Sequence, residues 1–94
     1  MAIAVIFDFA GGTTAQYDEI LKKMGLKKGG PGGPGGLFHW ATKTDQGLRV
    51  TDVWKTKEAF EKFSAEKIEP FVAAAGMPQP TVQFHEVYSY LTSN

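Results

Sequence analysis

The stretch GLRVTDVWKTKEAFEKF, Gly47 to Phe63, holds two periodicities joined by two residues. From Leu48 to Trp54 the side chains alternate. Arg49, Thr51 and Val53 fall on one side, and Leu48, Val50, Asp52 and Trp54 on the other. A period of two marks a strand. At Thr56 the pattern changes. Threonine is a good helix N-cap, and Ala59, Phe60 and Phe63 behind it share one helical face. A strand ending in Trp54 therefore passes at once into a capped helix whose apolar face must pack against a sheet.

Upstream, Leu37 to Lys43 is a second strand-like segment, and the linker TDQG, Thr44 to Gly47, has hairpin chemistry. The two segments are expected to pair antiparallel. Near the N-terminus, Ile3 to Phe9 is a short run rich in Ile, Val and Phe, which predicts a strand buried on both faces. Gly11 and Gly12 break it. Thr13 or Thr14 can cap a helix that carries Tyr17, Ile20, Leu21 and Met24 on one face. Lys22 and Lys23 suit its C-terminal dipole, and Gly25 suits its end. Downstream, Ile68, Phe71, Val72 and Ala75 resume an apolar face after Phe63. Pro70 predicts a kink there, or a short helix beginning near it. Gly76 stops this element, MPQP forms a rigid loop, and Thr81 to Leu91 reads as a long aromatic last strand.

The order β-α-β-β-α-β in 94 residues predicts an α+β, ferredoxin-like sandwich: one antiparallel sheet with both helices on one face. One domain over 1–94 is expected. The other sheet face must then meet solvent, a ligand or another copy. Within the strands, aromatics mix with isolated His, Asp, Arg and Glu, where a sheet with one wet face should alternate cleanly. The mixture suits a partly enclosed surface or one covered by a partner subunit.

Gly29 to Gly36, GGPGGPGG, follows a helix and opens a strand. A phosphate-cradling loop does the reverse, and it supplies a Lys and a Ser or Thr that are missing here. The stretch is expected to be a connector whose prolines stiffen its glycines. Ten acidic and ten basic residues cancel, so neither nucleic acid nor an anionic membrane is an expected partner. No segment approaches the length of a membrane span. The absence of cysteine excludes disulfides and a thiolate nucleophile or metal site. A cytoplasmic location is expected.

His39 and His85 are the two histidines, each within a predicted strand and directly after a phenylalanine. Imidazole titrates near neutral pH, so both are candidate catalytic bases. Two histidines on separate strands have no metal-ligand spacing, and neither a metal nor a cofactor is expected. Tyr17, Trp40, Phe84 and Tyr88 are candidate binding residues for a flat, hydrophobic small molecule. Asp8 is expected at a strand end, facing solvent or capping a turn. Asp52 and Arg49 lie on opposite faces of one strand and are expected in salt bridges across the sheet. Trp54 is expected in the core.

The stretch from Gly47 to Phe63, with its Trp54, the cap at Thr56 and Glu58-Ala59-Phe60, resembles the dimeric α+β barrel superfamily that includes the antibiotic-biosynthesis monooxygenases. GGLFHWATKTDQGLRV and GMPQPTVQFHEVYSYL extend the likeness to a bacterial branch of that superfamily. The resemblance implies a homodimer in which two sheets face each other, often with the last strand extended onto the partner. It also implies a hydrophobic cavity between sheet and helices. A haem-degrading branch carries a Trp and a His on the second helix. EKFSAEKIEPFVAA has neither, and the first strand ends FDFAGG without that branch's Asn. Two functions remain. One is a cofactor-independent monooxygenase-like enzyme acting on a hydrophobic or aromatic small molecule. The other is a non-catalytic barrel that binds a hydrophobic ligand or has a structural role.

Overall fold

A computed structural model describes residues 1–30 and 32–91. Pro31, inside the Gly/Pro connector, lies outside the described residues. Strand β1, Ile3–Ala10, leads into helix α1, Thr14–Met24. Strands β2, Gly36–Thr44, and β3, Gly47–Trp54, form the hairpin. Helix α2, Lys57–Phe63, continues through a π-helical turn, Ser64–Ile68, into the short helix α3, Glu69–Ala74. Strand β4, Thr81–Glu86, completes an antiparallel sheet of order β2-β3-β1-β4.

Local chemistry sets each boundary. Thr13 is the cap of α1. Its hydroxyl accepts from the Gln16 N–H at 3.1 Å, and the Gln16 side chain accepts from the Thr13 N–H at 3.0 Å. This reciprocal capping box satisfies donors that the first turn leaves open. Gly25 ends the helix at φ 75°, a left-handed conformation in which glycine carries no Cβ penalty. The Thr56 hydroxyl caps α2 by accepting from the Ala59 N–H at 3.1 Å.

Pro70 has the predicted effect. In a continuous α-helix its ring would press on the Glu66 carbonyl. The chain instead widens by one π turn, in which the Glu69 N–H reaches the Ser64 carbonyl, and α3 starts with Pro70 in its first turn.

The registers sort the sheet into two faces. Ile3, Val5, Phe7 and Phe9 of β1 lie opposite Trp54, Asp52, Val50 and Leu48 of β3. His39, Ala41 and Lys43 of β2 extend that face on one side, and Val82, Phe84 and Glu86 of β4 on the other. Helices cover this face. Ile20, Phe60 and Val72 pack on Val5, Phe7, Phe9 and Trp54 to form the core. Burying a Phe or Leu side chain contributes roughly 1.5–3 kcal/mol, so this one layer supplies most of the apolar stabilisation.

The opposite face carries Ala4, Ile6 and Asp8, Phe38, Trp40 and Thr42, Arg49, Thr51 and Val53, and Gln83 and His85. Among the described residues, no helix lies over it. β1 is therefore buried on one face and only half-covered on the other, not buried on both as its composition suggested. Asp8 lies on this solvent-facing side, as expected, and pairs there with Arg49 directly across from it, through Nε at 2.8 Å and Nη2 at 3.0 Å. Arg49 thus bridges across the sheet as the alternation predicts.

The last strand is shorter than Thr81 to Leu91. Ile3 lies opposite Glu86, and the Val87 N–H still reaches the Ala2 carbonyl at 3.0 Å. Among the described residues, the pairing between β1 and the last strand does not continue beyond that rung. Tyr90 turns instead onto Phe38 of the open face, edge to face at 5.8 Å between ring centroids. Among the described residues, no helix is long and apolar enough to cross a membrane.

Candidate functional site

Four polar side chains meet where α1 crosses β2 and β3. The hairpin places His39 directly opposite Asp52 on the helix-covered face. Directly opposed residues of an antiparallel pair have Cβ atoms close enough for short side chains to touch. Here His39 Nδ1 lies 2.5 Å from Asp52 Oδ1. The other carboxylate oxygen accepts from the Trp54 indole N–H at 3.1 Å, since residues two apart on a strand share a face. From above, the Tyr17 hydroxyl on the inner face of α1 lies 2.6 Å from His39 Nε2. The phenol and imidazole rings are nearly parallel, 8° apart in plane with centroids 5.8 Å apart.

These four residues form a chain: Trp54, Asp52, His39, Tyr17. Asp52 is 4% exposed, and a buried carboxylate costs heavily unless its oxygens are paired. Both are. Among the described residues, no buried side-chain nitrogen or oxygen lacks a partner. The chain also assigns the tautomer. A carboxylate at Nδ1 requires a proton there, so Nε2 carries the lone pair and accepts from the Tyr17 O–H. Burial, and then the charges of Asp52 and Asp18, push the Tyr17 phenol above its ordinary value of 10.0. Asp18 is itself held by Lys28 at 3.0 Å.

The relay opens onto a cavity of about 980 Å³ between the sheet, α1 and the Gly/Pro connector. Phe7, Leu48, Val50 and Trp54 form its floor, and Leu21 and Met24 one wall. Gly29, Gly30, Gly32 and Gly33 of the connector border it, and Phe63 at the end of α2 and Ile68 at the end of the π turn close it from the helical layer. The volume is at the upper end of small-molecule sites. The lining is mainly apolar; besides the relay, Thr14, Asp18, Lys27, Lys28 and Lys43 border it.

The residues singled out from sequence fall into two groups. His39 and Tyr17 line the cavity and touch each other. Trp40 borders the cavity, but alternation turns it toward the open face, where it is 49% exposed. Phe84 lies on the helix-covered face away from the cavity, packed against Phe60 at 5.6 Å with the Lys57 ammonium 5.1 Å from its ring centroid. His85 points to the open face and meets Gln83 of its own strand at 3.3 Å. Tyr88 is fully exposed. The two histidines are thus on opposite sides of the sheet. Among the described residues, no group of three or more His, Cys, Asp or Glu is placed to hold a metal ion.

Asp52 and Trp54 complete the site although each had a simpler reading, as an ion-pair partner and a core residue. Trp54 is in the core, 3% exposed, and anchors the carboxylate from there.

This ferredoxin-like α+β fold is similar to that of solved structures described as antibiotic biosynthesis monooxygenases and cofactor-independent oxygenases. A proposed antibiotic biosynthesis monooxygenase from Chloroflexus aurantiacus superimposes with a TM-score of 0.66 at 15% identity, over 98% of this chain and 98% of its own. SnoaB, a cofactor-independent oxygenase from Streptomyces nogalater, does so with a TM-score of 0.60 at 15% identity, over 98% of this chain and 96% of its own. The ActVA-Orf6 monooxygenase of Streptomyces coelicolor, solved in complex with nanaomycin D, gives 0.53 at 15% identity, over 99% and 92%. In sequence, no family model matches the chain and no curated protein matches it. At such identities the likeness is one of fold.

Proposed function

We propose that the protein is a cofactor-independent monooxygenase-like enzyme acting on a hydrophobic aromatic small molecule. The observation that carries this reading is the Asp52–His39 pair at 2.5 Å, facing an apolar cavity of about 980 Å³. A base backed by a buried carboxylate fits proton abstraction, and an apolar lining fits a flat ring system. The fold's likeness to cofactor-independent oxygenases supports the same class by analogy.

The chemistry asks little of the protein. An electron-rich phenol loses a proton to the site and becomes an anion that O2 oxidises directly. In becoming a quinone the ring loses two hydrogens and gains one oxygen atom. The second oxygen atom leaves with those hydrogens as water, so no other reductant is needed. The side chains supply the base, orient the ring and keep bulk water from the intermediate.

The enzyme acts, in this proposal, as a cytoplasmic homodimer. The open face carries Trp40 at 49% exposure together with Ile6, Phe38 and Tyr90, an apolar surface that a second copy would cover. A monomeric mass by light scattering would remove the dimer.

Oxygen uptake with polycyclic phenols tests the activity. Uptake that His39→Ala abolishes while the fold is retained is the expected result. Tight binding of such phenols with no uptake would place the protein in the other class, a barrel that holds a hydrophobic ligand without reaction.

A further inference from the structure

The relay has a direction, and it points away from His39 as the residue that meets the substrate. Both ring nitrogens of His39 are engaged: Nδ1 with Asp52 at 2.5 Å, and Nε2 with the Tyr17 hydroxyl at 2.6 Å. A ligand in the cavity reaches neither nitrogen unless it displaces the phenol. The Tyr17 oxygen is different. Having donated its proton to Nε2, it keeps an acceptor lone pair, and among the described residues it makes no other hydrogen bond.

We propose that Tyr17 is the catalytic residue that receives the substrate's proton, that His39 and Asp52 act behind it, and that the substrate presents a phenol-type O–H to Tyr17. The transfer is a two-proton relay. The substrate O–H bond breaks as a new O–H bond forms on the Tyr17 oxygen. The original Tyr17 O–H bond breaks as an N–H bond forms on His39 Nε2. Tyr17 is neutral before and after. The positive charge ends on an imidazolium beside the buried Asp52 carboxylate, and the negative charge on the substrate oxygen, which the Tyr17 hydroxyl then donates to. No electron moves in this step.

The order explains why a phenol stands in the path. Burial and nearby carboxylates disfavour a free Tyr17 phenolate, so Tyr17 by itself is a poor base. Coupled to His39 it never has to carry charge. A phenol-type hydroxyl is the matching donor, because it exchanges one O–H for another of the same kind at the first step. The floor of Phe7 and Trp54 suits the aromatic ring that bears it.

The role of Tyr17 depends on the oxygenase reading only for the oxidation after proton removal, so the two can be separated. The probe is 1-naphthol without oxygen, whose absorbance distinguishes the neutral form from the anion. Wild-type protein at neutral pH is expected to bind it as the anion. Tyr17→Phe, which leaves the His39–Asp52 pair in place, is expected to bind it neutral, with the ionised fraction lowered about a hundredfold, the scale of one acid–base group. Ionisation retained in Tyr17→Phe overturns the proposal, since the freed Nε2 would then take the proton directly. A neutral spectrum or no binding in the wild type overturns it as well. Circular dichroism confirms that the variant is folded. Oxygen uptake is measured in parallel. Ionisation without uptake removes the oxygenase reading and leaves Tyr17 in its role. Uptake at full rate in Tyr17→Phe removes Tyr17 and leaves the oxygenase reading.

Discussion

His39 and His85 begin from almost the same local sequence. Each follows a phenylalanine within a strand, FHW in one case and FHE in the other. Their surroundings are unlike. His39 lies between a buried carboxylate and a phenol, beneath a helix and beside a cavity. His85 lies on the open face, where among the described residues its side-chain hydrogen bond is to a glutamine two residues earlier on its own strand. Both belong to strands of the same sheet. What separates them is the identity of the opposing residue, Asp52 for His39 and Ala4 for His85, and the presence or absence of a helix overhead. A histidine becomes a chemical group when the fold supplies a partner for each ring nitrogen.

The largest expected effect tests that contrast directly. His39→Ala should lower oxygen uptake by about a hundred- to ten-thousand-fold, while His85→Ala should leave it within about twofold. Equal losses from both would mean that the open face takes part in the reaction, and the comparison would fail.

Asp52→Ala should come next. It leaves the Trp54 indole N–H and the His39 Nδ1–H without their acceptor, and an unpaired buried donor costs about 1–3 kcal/mol. Urea denaturation should show a loss in that range or above, whereas Gln83→Ala, which removes the hydrogen-bond partner of His85, should change stability little. Unchanged stability in Asp52→Ala would show that water replaces the carboxylate.

A smaller loss is expected at the connector. Gly35 has φ 83°, and an added Cβ would stand 2.8 Å from the Ala59 Cβ at the start of α2. Gly35→Ala should cost about 1–2 kcal/mol from the left-handed backbone alone, with some loss of activity because the connector borders the cavity. A neutral substitution would show that this end of the connector shifts freely.

The smallest effects concern titration. Tyr17 has a raised folded pKa, so a spectroscopic titration of the wild type minus that of Tyr17→Phe should give a phenolate midpoint above 10.0. On the open face the Arg49 hydrogen bond holds the Asp8 carboxyl below its ordinary value of 3.8. A depressed folded pKa means that the unfolded chain binds the proton first as pH falls. The pair therefore stabilises the fold above the ordinary carboxylate value, and that contribution is lost as pH drops through the folded one. Asp8→Asn should flatten this part of the acid stability curve and leave activity at neutral pH unchanged. An acid limb that keeps its slope in Asp8→Asn would assign it to other carboxylates.

Much of the site was within reach of the sequence. The hairpin turns at Asp45 and Gln46, with Thr44 opposite Gly47. Counting back symmetrically from that turn leads from Lys43 and Leu48 to His39 and Asp52. The turn chemistry of TDQG thus contains the central pair of the site, provided that the register is carried past the turn residues. Alternation then puts Trp54 on the same face. Tyr17 could be placed on the inner face of α1, but not over His39 in particular. That depends on where a helix crosses a sheet, and periodicity along one segment carries no such information.

The sequence by itself determined the element order, a cap at Thr13 or Thr14 and another at Thr56, the break at Pro70 and the apolar face of each helix. Interactions within a few residues govern all of these, and their chemistry can be read locally. Only the tertiary structure decided that β1 is covered on one side, that β4 ends at Glu86, that His39 and His85 part company, and that the connector's glycines border a cavity. Each of those outcomes depends on segments distant in the chain meeting at a set register and crossing angle. Such distances belong to the packed molecule and to no single stretch of it.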